Sequence, residues 1–81
     1  MDLIPSERAV LNLIRMLVLE ACTRTHRVTL LRSRWPALHS QAYTGGYGSL
    51  IERGLIALSA DGEHFSVTTA GLKAMSALKT A

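Results

Sequence analysis

The sequence predicts an α+β fold of three to four helices with a β-hairpin in its C-terminal half. Three observations carry that prediction. Tyr43, Tyr47, Leu50 and Ile51 recur at helical spacing and are followed by Gly54, a helix and its stop. Asp61-Gly62 separates two short runs, Leu55 to Ser59 and His64 to Thr68, which read as strands joined by a tight turn. Thr68 or Thr69 then caps a final run in which Leu72, Met75 and Leu78 face inward.

Ser6 is a good N-cap residue and Glu7 suits a first helical turn, so the first helix is expected from about Glu7 to Cys22. Val10, Leu13, Ile14, Leu17, Val18 and Ala21 form one apolar stripe, and Leu11, Met16 and Leu19 widen it. Arg8, Asn12, Arg15 and Glu20 leave only a narrow polar face. Such a helix fits either a central position packed on several sides or a seam between two copies, with Leu11, Met16 and Leu19 as the dimer interface.

Thr23 to Arg27 carries no helical periodicity and reads as a loop leading into an extended piece at Arg27 to Thr29. Thr29 can cap a second helix in which Leu31, Trp35 and Leu38 recur at i, i+4 and i+7. Pro36 conflicts with one continuous helix, because an interior proline removes a hydrogen bond and clashes with the preceding turn. Either the helix spans Leu30 to Trp35 and stops, the preferred reading, or Ser33 caps a helix from Arg34 to His39.

Ser40 caps the next helix, Gln41 to Arg53. Gly45, Gly46 and Gly48 oppose it by about 1 kcal/mol each relative to Ala. Packing of the two tyrosines has to compensate, or the helix starts later, near Thr44. In the hairpin, Ile56 and Leu58 share an inner side with Phe65 and Val67. The last helix runs from Ala70 to about Leu78, with Lys73 outside and Lys79 near its negative pole.

One domain is expected to span residues 1–81. A chain of 81 residues with 48% hydrophobic content is too apolar for disorder, and near the smallest size at which a core holds without staples. Cys22 is the only cysteine, which excludes an intramolecular disulfide and a Cys-rich metal site and favours a reducing compartment. The N-terminus lacks the basic region and cleavage site of a secretory signal. The apolar span Ala9 to Cys22 falls short of the roughly 20 residues a bilayer crossing needs. A cytoplasmic protein with no membrane partner is the expectation. Net charge is +3, and Arg24, Arg27, Arg32 and Arg34 fall within eleven residues that hold no acid, a distribution permissive for a polyanion.

Catalytic groups do not converge. His26, His39 and His64 are far apart, lack metal-ligand spacing and read as solvated surface residues. Ser33, Ser40 and Ser49 have no nucleophile-elbow context, and the six acids form no evident pair. Gly45-Gly46-Tyr47-Gly48 does not follow a strand, as a phosphate-cradling loop would. The chain is therefore not expected to be an enzyme or to hold a metal or cofactor.

Taken together, the helix pair, Leu50-Ile51-Glu52-Arg53-Gly54-Leu55-Ile56, the hairpin and Val67-Thr68-Thr69-Ala70-Gly71 resemble the winged helix-turn-helix DNA-binding regulators of bacteria and phages, over Val28 to Leu78. In those proteins the second helix of the pair ends in a leucine followed four residues later by Gly-Leu-Ile. The resemblance implies a winged helix-turn-helix with a C-terminal β-hairpin wing, a recognition helix at Ser40 to Arg53, and double-stranded DNA as partner. At 100° per residue, Tyr43, Gly46, Tyr47 and Leu50 turn inward. Gln41, Gly45, Gly48, Ser49 and Glu52 turn outward, with Thr44 on the flank. Gln41, Thr44 and Ser49 are then the readers of base edges, and Gly45 lets the backbone approach the duplex. Arg27, Arg32, Arg34 and Arg53 would neutralise phosphates. Glu52 and the acidic tip Asp61-Gly62-Glu63 depart from this pattern and imply that the wing does not lie along a groove.

The expected function is sequence-specific DNA binding by a small homodimeric transcriptional regulator. The alternative is a phage-type adaptor or inhibitor that binds a host protein through the Arg-rich face or the apolar first helix.

Overall fold

The computed structural model describes residues 3–80, and side chains as far as Leu78; the expected placement of Lys79 at the helix pole lies outside the described side chains. The elements are α1 (Pro5–Ala21), β1 (Thr25–Arg27), α2 (Val28–Ser33), a 3-10 turn (Ala37–His39), α3 (Ser40–Glu52), β2 (Ile56–Leu58), β3 (His64–Val67) and α4 (Thr69–Thr80). The three strands form one antiparallel sheet in the order β1-β3-β2, so the domain is α+β.

α1 begins before the expected Ser6 cap. Pro5 stands in the first turn, where its missing N–H is no loss, and Ile4 takes the N-cap position. Glu7 then lies three residues in and accepts the Ile4 N–H at 3.0 Å, as the acid of a capping box does. Cys22, in the left-handed region at φ 54°, ends the helix. Glu7, Val10, Leu11, Ile14 and Leu17 make up its buried side. Leu11 is 0% exposed and belongs to the core, which corrects its assignment to a dimer seam: the buried stripe of α1 is centred on Ile14 and reaches Leu11 at one edge. Met16 and Leu19 remain 48% and 65% exposed.

The extended piece falls at Thr25–Arg27, two residues earlier than expected, and adds a third strand. It pairs with β3 through Thr25↔Ser66, His26↔Phe65 and Arg27↔His64. Strand alternation turns His26 inward, so it is buried rather than solvated, and its Nε2 meets the Thr23 carbonyl at 2.9 Å.

α2 follows without a loop and stops at Ser33, where Arg34 and Trp35 close the last turn by donating to the Leu31 and Arg32 carbonyls. Pro36 is extended and the separate turn Ala37–His39 follows, so the helix stops before the proline as the preferred reading has it, with both bounds two residues earlier, and no helix runs from Arg34 to His39. That break destroys the i+7 register, leaving Leu38 94% exposed while Leu31 is buried.

Gly54, at φ 74°, reverses the chain after α3. The hairpin pairs Ile56↔Val67 and Leu58↔Phe65. Ile56, Phe65 and Val67 face the core, whereas Leu58, next to the turn, is exposed. Thr68 then does two tasks: its Oγ1 accepts the Gly71 N–H at 3.0 Å and donates to the carbonyls of Gly54 and Leu55. A Cβ at Gly71 would lie 2.1 Å from the Leu55 oxygen, so only glycine lets α4 dock there.

Leu11→Ala is expected to lower stability by about 2 to 5 kcal/mol, and Leu19→Ala by less than about 1 kcal/mol. Urea denaturation of the two variants checks this, and similar small losses for both would take Leu11 out of the core.

Candidate nucleic-acid interface

α3 is set by its contact with α1, the most extensive helix pair in the fold. At the crossing, a Cβ on Gly46 would stand 2.4 Å from the Ser6 carbonyl oxygen, so the two backbones meet only because Gly46 has no side chain. One residue along α1, the Glu7 carboxylate is 0% exposed. Its Oε1 takes the Ile4 N–H, and its Oε2 takes the Ser49 hydroxyl at 2.5 Å and the Arg53 Nε at 2.6 Å. Burial raises the Glu7 pKa, but the Ser49 hydroxyl, the Ile4 amide and the Arg53 charge together outweigh it and hold the carboxyl below its ordinary value. The group is a buried anion with its donors supplied.

This arrangement corrects the outward placement of Ser49 and gives Arg53 a carboxylate partner within the fold. Ser49 does not face outward; its hydroxyl is committed to Glu7. Arg53, expected to meet phosphate, spends its charge on the same carboxylate.

The rest of the inner side of α3 joins an aromatic cluster. Tyr47 is buried between Trp35 and Phe65, both edge-on, with ring centroids 6.0 and 6.5 Å away, and Trp35 also approaches Tyr43 at 6.2 Å. Burial pushes the Tyr47 phenol up, against a smaller lowering by Arg32. The Arg32 guanidinium lies 5.7 Å from the Trp35 ring centroid, within cation–π range, which seats a cation at the edge of the cluster.

Outward, α3 presents Gln41, Thr44, Gly45 and Glu52, all exposed. The Thr44 hydroxyl donates to the Ser40 carbonyl at 2.8 Å and keeps its lone pairs for an outside donor. Nothing lies within 4 Å of where a Cβ would be on Gly45 or Gly48, so the backbone along this stripe is bare.

The arginines divide. Arg27 and Arg32 line one groove with Thr29, Glu63 and His64, between the start of α2 and the hairpin turn, with a volume of about 470 Å³. Arg34 instead pairs with Glu20 through two contacts at 3.1 and 3.3 Å. Both side chains are substantially exposed, so this pair is worth about 0 to 1 kcal/mol and yields readily to another anion. At the hairpin tip the Asp61 carboxylate folds back onto the Ser59 hydroxyl and the Glu63 N–H, and these bonds lower its pKa.

Comparison of the chain with protein-family models, curated proteins and solved structures finds no match. Among the described residues, no group of three or more His, Cys, Asp or Glu side chains is placed to hold a metal ion. No helix among them is long and apolar enough to cross a membrane.

Glu7 is the site residue that sequence reasoning missed, having been read only as a favourable first-turn acid. The signal was present. Glu7, Val10, Leu11, Ile14 and Leu17 follow i, i+3, i+4, i+7 and i+10, which places the acid on the apolar stripe, and Pro5 at a helix start puts Glu7 at the capping-box position.

The lowered Glu7 pKa fixes the sign of a pH dependence. Its stabilising contribution is complete above the ordinary value of 4.5 and is lost as pH falls through the depressed folded value. Glu7→Gln is expected to cost about 2 to 3 kcal/mol at neutral pH, and the gap to the wild type should narrow in acid. Paired urea titrations at neutral and acidic pH check this; a gap independent of pH would mean that the carboxylate charge does not hold the crossing.

Proposed function

We propose that this chain is a winged-helix protein that binds double-stranded DNA through the outward face of α3 and acts as a small, sequence-specific transcriptional regulator. The element order, with β1 pairing beside the β2–β3 hairpin, is compatible with a winged-helix arrangement and supports the reading. The observation that carries it is the bare outward stripe of α3, where Gln41 and Thr44 stand beside two glycines that obstruct nothing. A helix with so little on its outer surface can enter a major groove closely, and Gln41 can grip adenine through two hydrogen bonds. Glu52 repels phosphate, so the N-terminal half of α3 makes the base contacts. Arg27 and Arg32 meet phosphates beside it, and Arg34 joins them by exchanging Glu20 for a phosphate oxygen.

A second reading, an adaptor that binds another protein, is favoured by the exposure of Met16 and Leu19 on α1 and by the acidic hairpin tip. The same two side chains are what remains of a homodimer seam once Leu11 is assigned to the core.

Fluorescence anisotropy on duplexes, across a salt series, tests the first reading. Replacing Arg27 and Arg32 together by Ala should flatten the salt dependence by about two units or slightly less, on all sequences alike. Gln41→Ala should cost about 1 to 3 kcal/mol of discrimination between a selected site and random DNA. Absence of salt-dependent binding by the wild type would reject DNA as the partner and leave the adaptor reading.

A further inference from the structure

We propose that the groove between the start of α1 and α4 binds a small amphipathic monoanion, an apolar tail ending in a carboxylate, of the medium-chain fatty-acid type. The groove has a volume of about 460 Å³, within the range of roughly 300 to 1,000 Å³ usual for small-molecule sites. Leu3, Ala70, Ala74 and Leu78 give it apolar walls. Among the described residues, its charged lining residues are Arg8 from α1 and Lys73 from α4, two cations with no acid among them. Among the described residues, the ion pairs are Arg34–Glu20 and Arg53–Glu7, so neither Arg8 nor Lys73 has a carboxylate partner there.

The composition of the walls selects the ligand class. A hydrophilic anion gains nothing from four apolar side chains, and a neutral apolar molecule gives the two cations no counter-charge. An anion with an apolar body uses both, burying its tail along α4 while its carboxylate takes charge-assisted hydrogen bonds from Arg8 and Lys73. The groove shares no lining residue with the outward face of α3 or with the groove at Arg27 and Arg32. It is therefore a separate site. Leu3 precedes Ile4, whose N–H is held by Glu7, so the Ile4 amide stands next to the ligand and reports on it.

The test is a titration of the full chain, without DNA, by octanoate and by its neutral counterpart octanol, followed by amide shifts in nitrogen–proton NMR spectra. Octanoate is expected to give saturable shifts confined to Leu3–Arg8 and Ala70–Leu78. Octanol should bind about tenfold more weakly or worse, since it loses the charge-assisted contacts. Lys73→Glu and Arg8→Glu, both at exposed positions, should each weaken octanoate by about tenfold with the spectrum otherwise unchanged. Ala74→Leu, which adds bulk to the lining, should weaken both probes. Octanoate shifts that do not saturate, that lie elsewhere, or that octanol reproduces at equal strength would overturn the proposal, as would binding indifferent to both charge reversals.

Discussion

Glu7 keeps an ionised carboxylate out of water at the point where α1 and α3 touch through Gly46. A carboxylate buried without partners costs several kcal/mol, so its donors have to be present together for the crossing to hold. They come from three places: the entry to α1 at Ile4, and Ser49 and Arg53 on α3. Because successive helical residues differ by about 100°, turning α3 by one position in either sense would carry Ser49 away from the carboxylate, and in one sense would also drive the Tyr47 side chain into Ser6 where Gly46 now lies. Rotation and register of α3 are thereby fixed. Which residues it shows to the outside follows from a contact on its opposite side.

Side-chain pairing redistributes the positive charge. A net charge of +3 with a dense arginine run reads, along the chain, as one basic region. In three dimensions Arg53 is absorbed by Glu7, Arg34 is offset by Glu20, and Arg32 is seated over Trp35. Two smaller basic regions have different surroundings. Arg27 and Arg32 sit in a polar groove with His64 and Glu63, whereas Arg8 and Lys73 sit beside aliphatic walls. Charge of one sign can serve unlike partners when its immediate neighbours differ in polarity.

Much of this was legible in the sequence where local chemistry decides the structure. Gly54, Asp61-Gly62 and Thr68 acted as their residue types require, and the inward side of α3, Tyr43, Gly46, Tyr47 and Leu50, was read correctly from a 100° rotation. The glycine-rich turn of α3, Gly45 to Gly48, is tolerated because tertiary packing outweighs propensity, Gly46 being needed at the crossing. What was not legible depended on residues distant along the chain. β1 is legible only as a short extended piece two residues out of place, because its bounds are set by β3 beside it; Ser49 falls on the wrong side because its partner is 42 residues away. His26 was read as solvated for the same reason, its neighbour Phe65 being on another strand.

The strand order has a consequence for how the chain reaches its folded state. β3 is the middle strand, and both β1, near the front of the chain, and β2 depend on it for their hydrogen bonds. It also carries Phe65, which is fully buried. A growing chain that ends before His64 has helices α1, α2 and α3 available but two strand edges without a partner and a core without its largest fully buried side chain. The local helices therefore come first, and closure waits for a pairing that spans 41 residues between Thr25 and Ser66, whose hydroxyls meet at 2.8 Å. Nearly the whole domain must be synthesised before its core can be sealed.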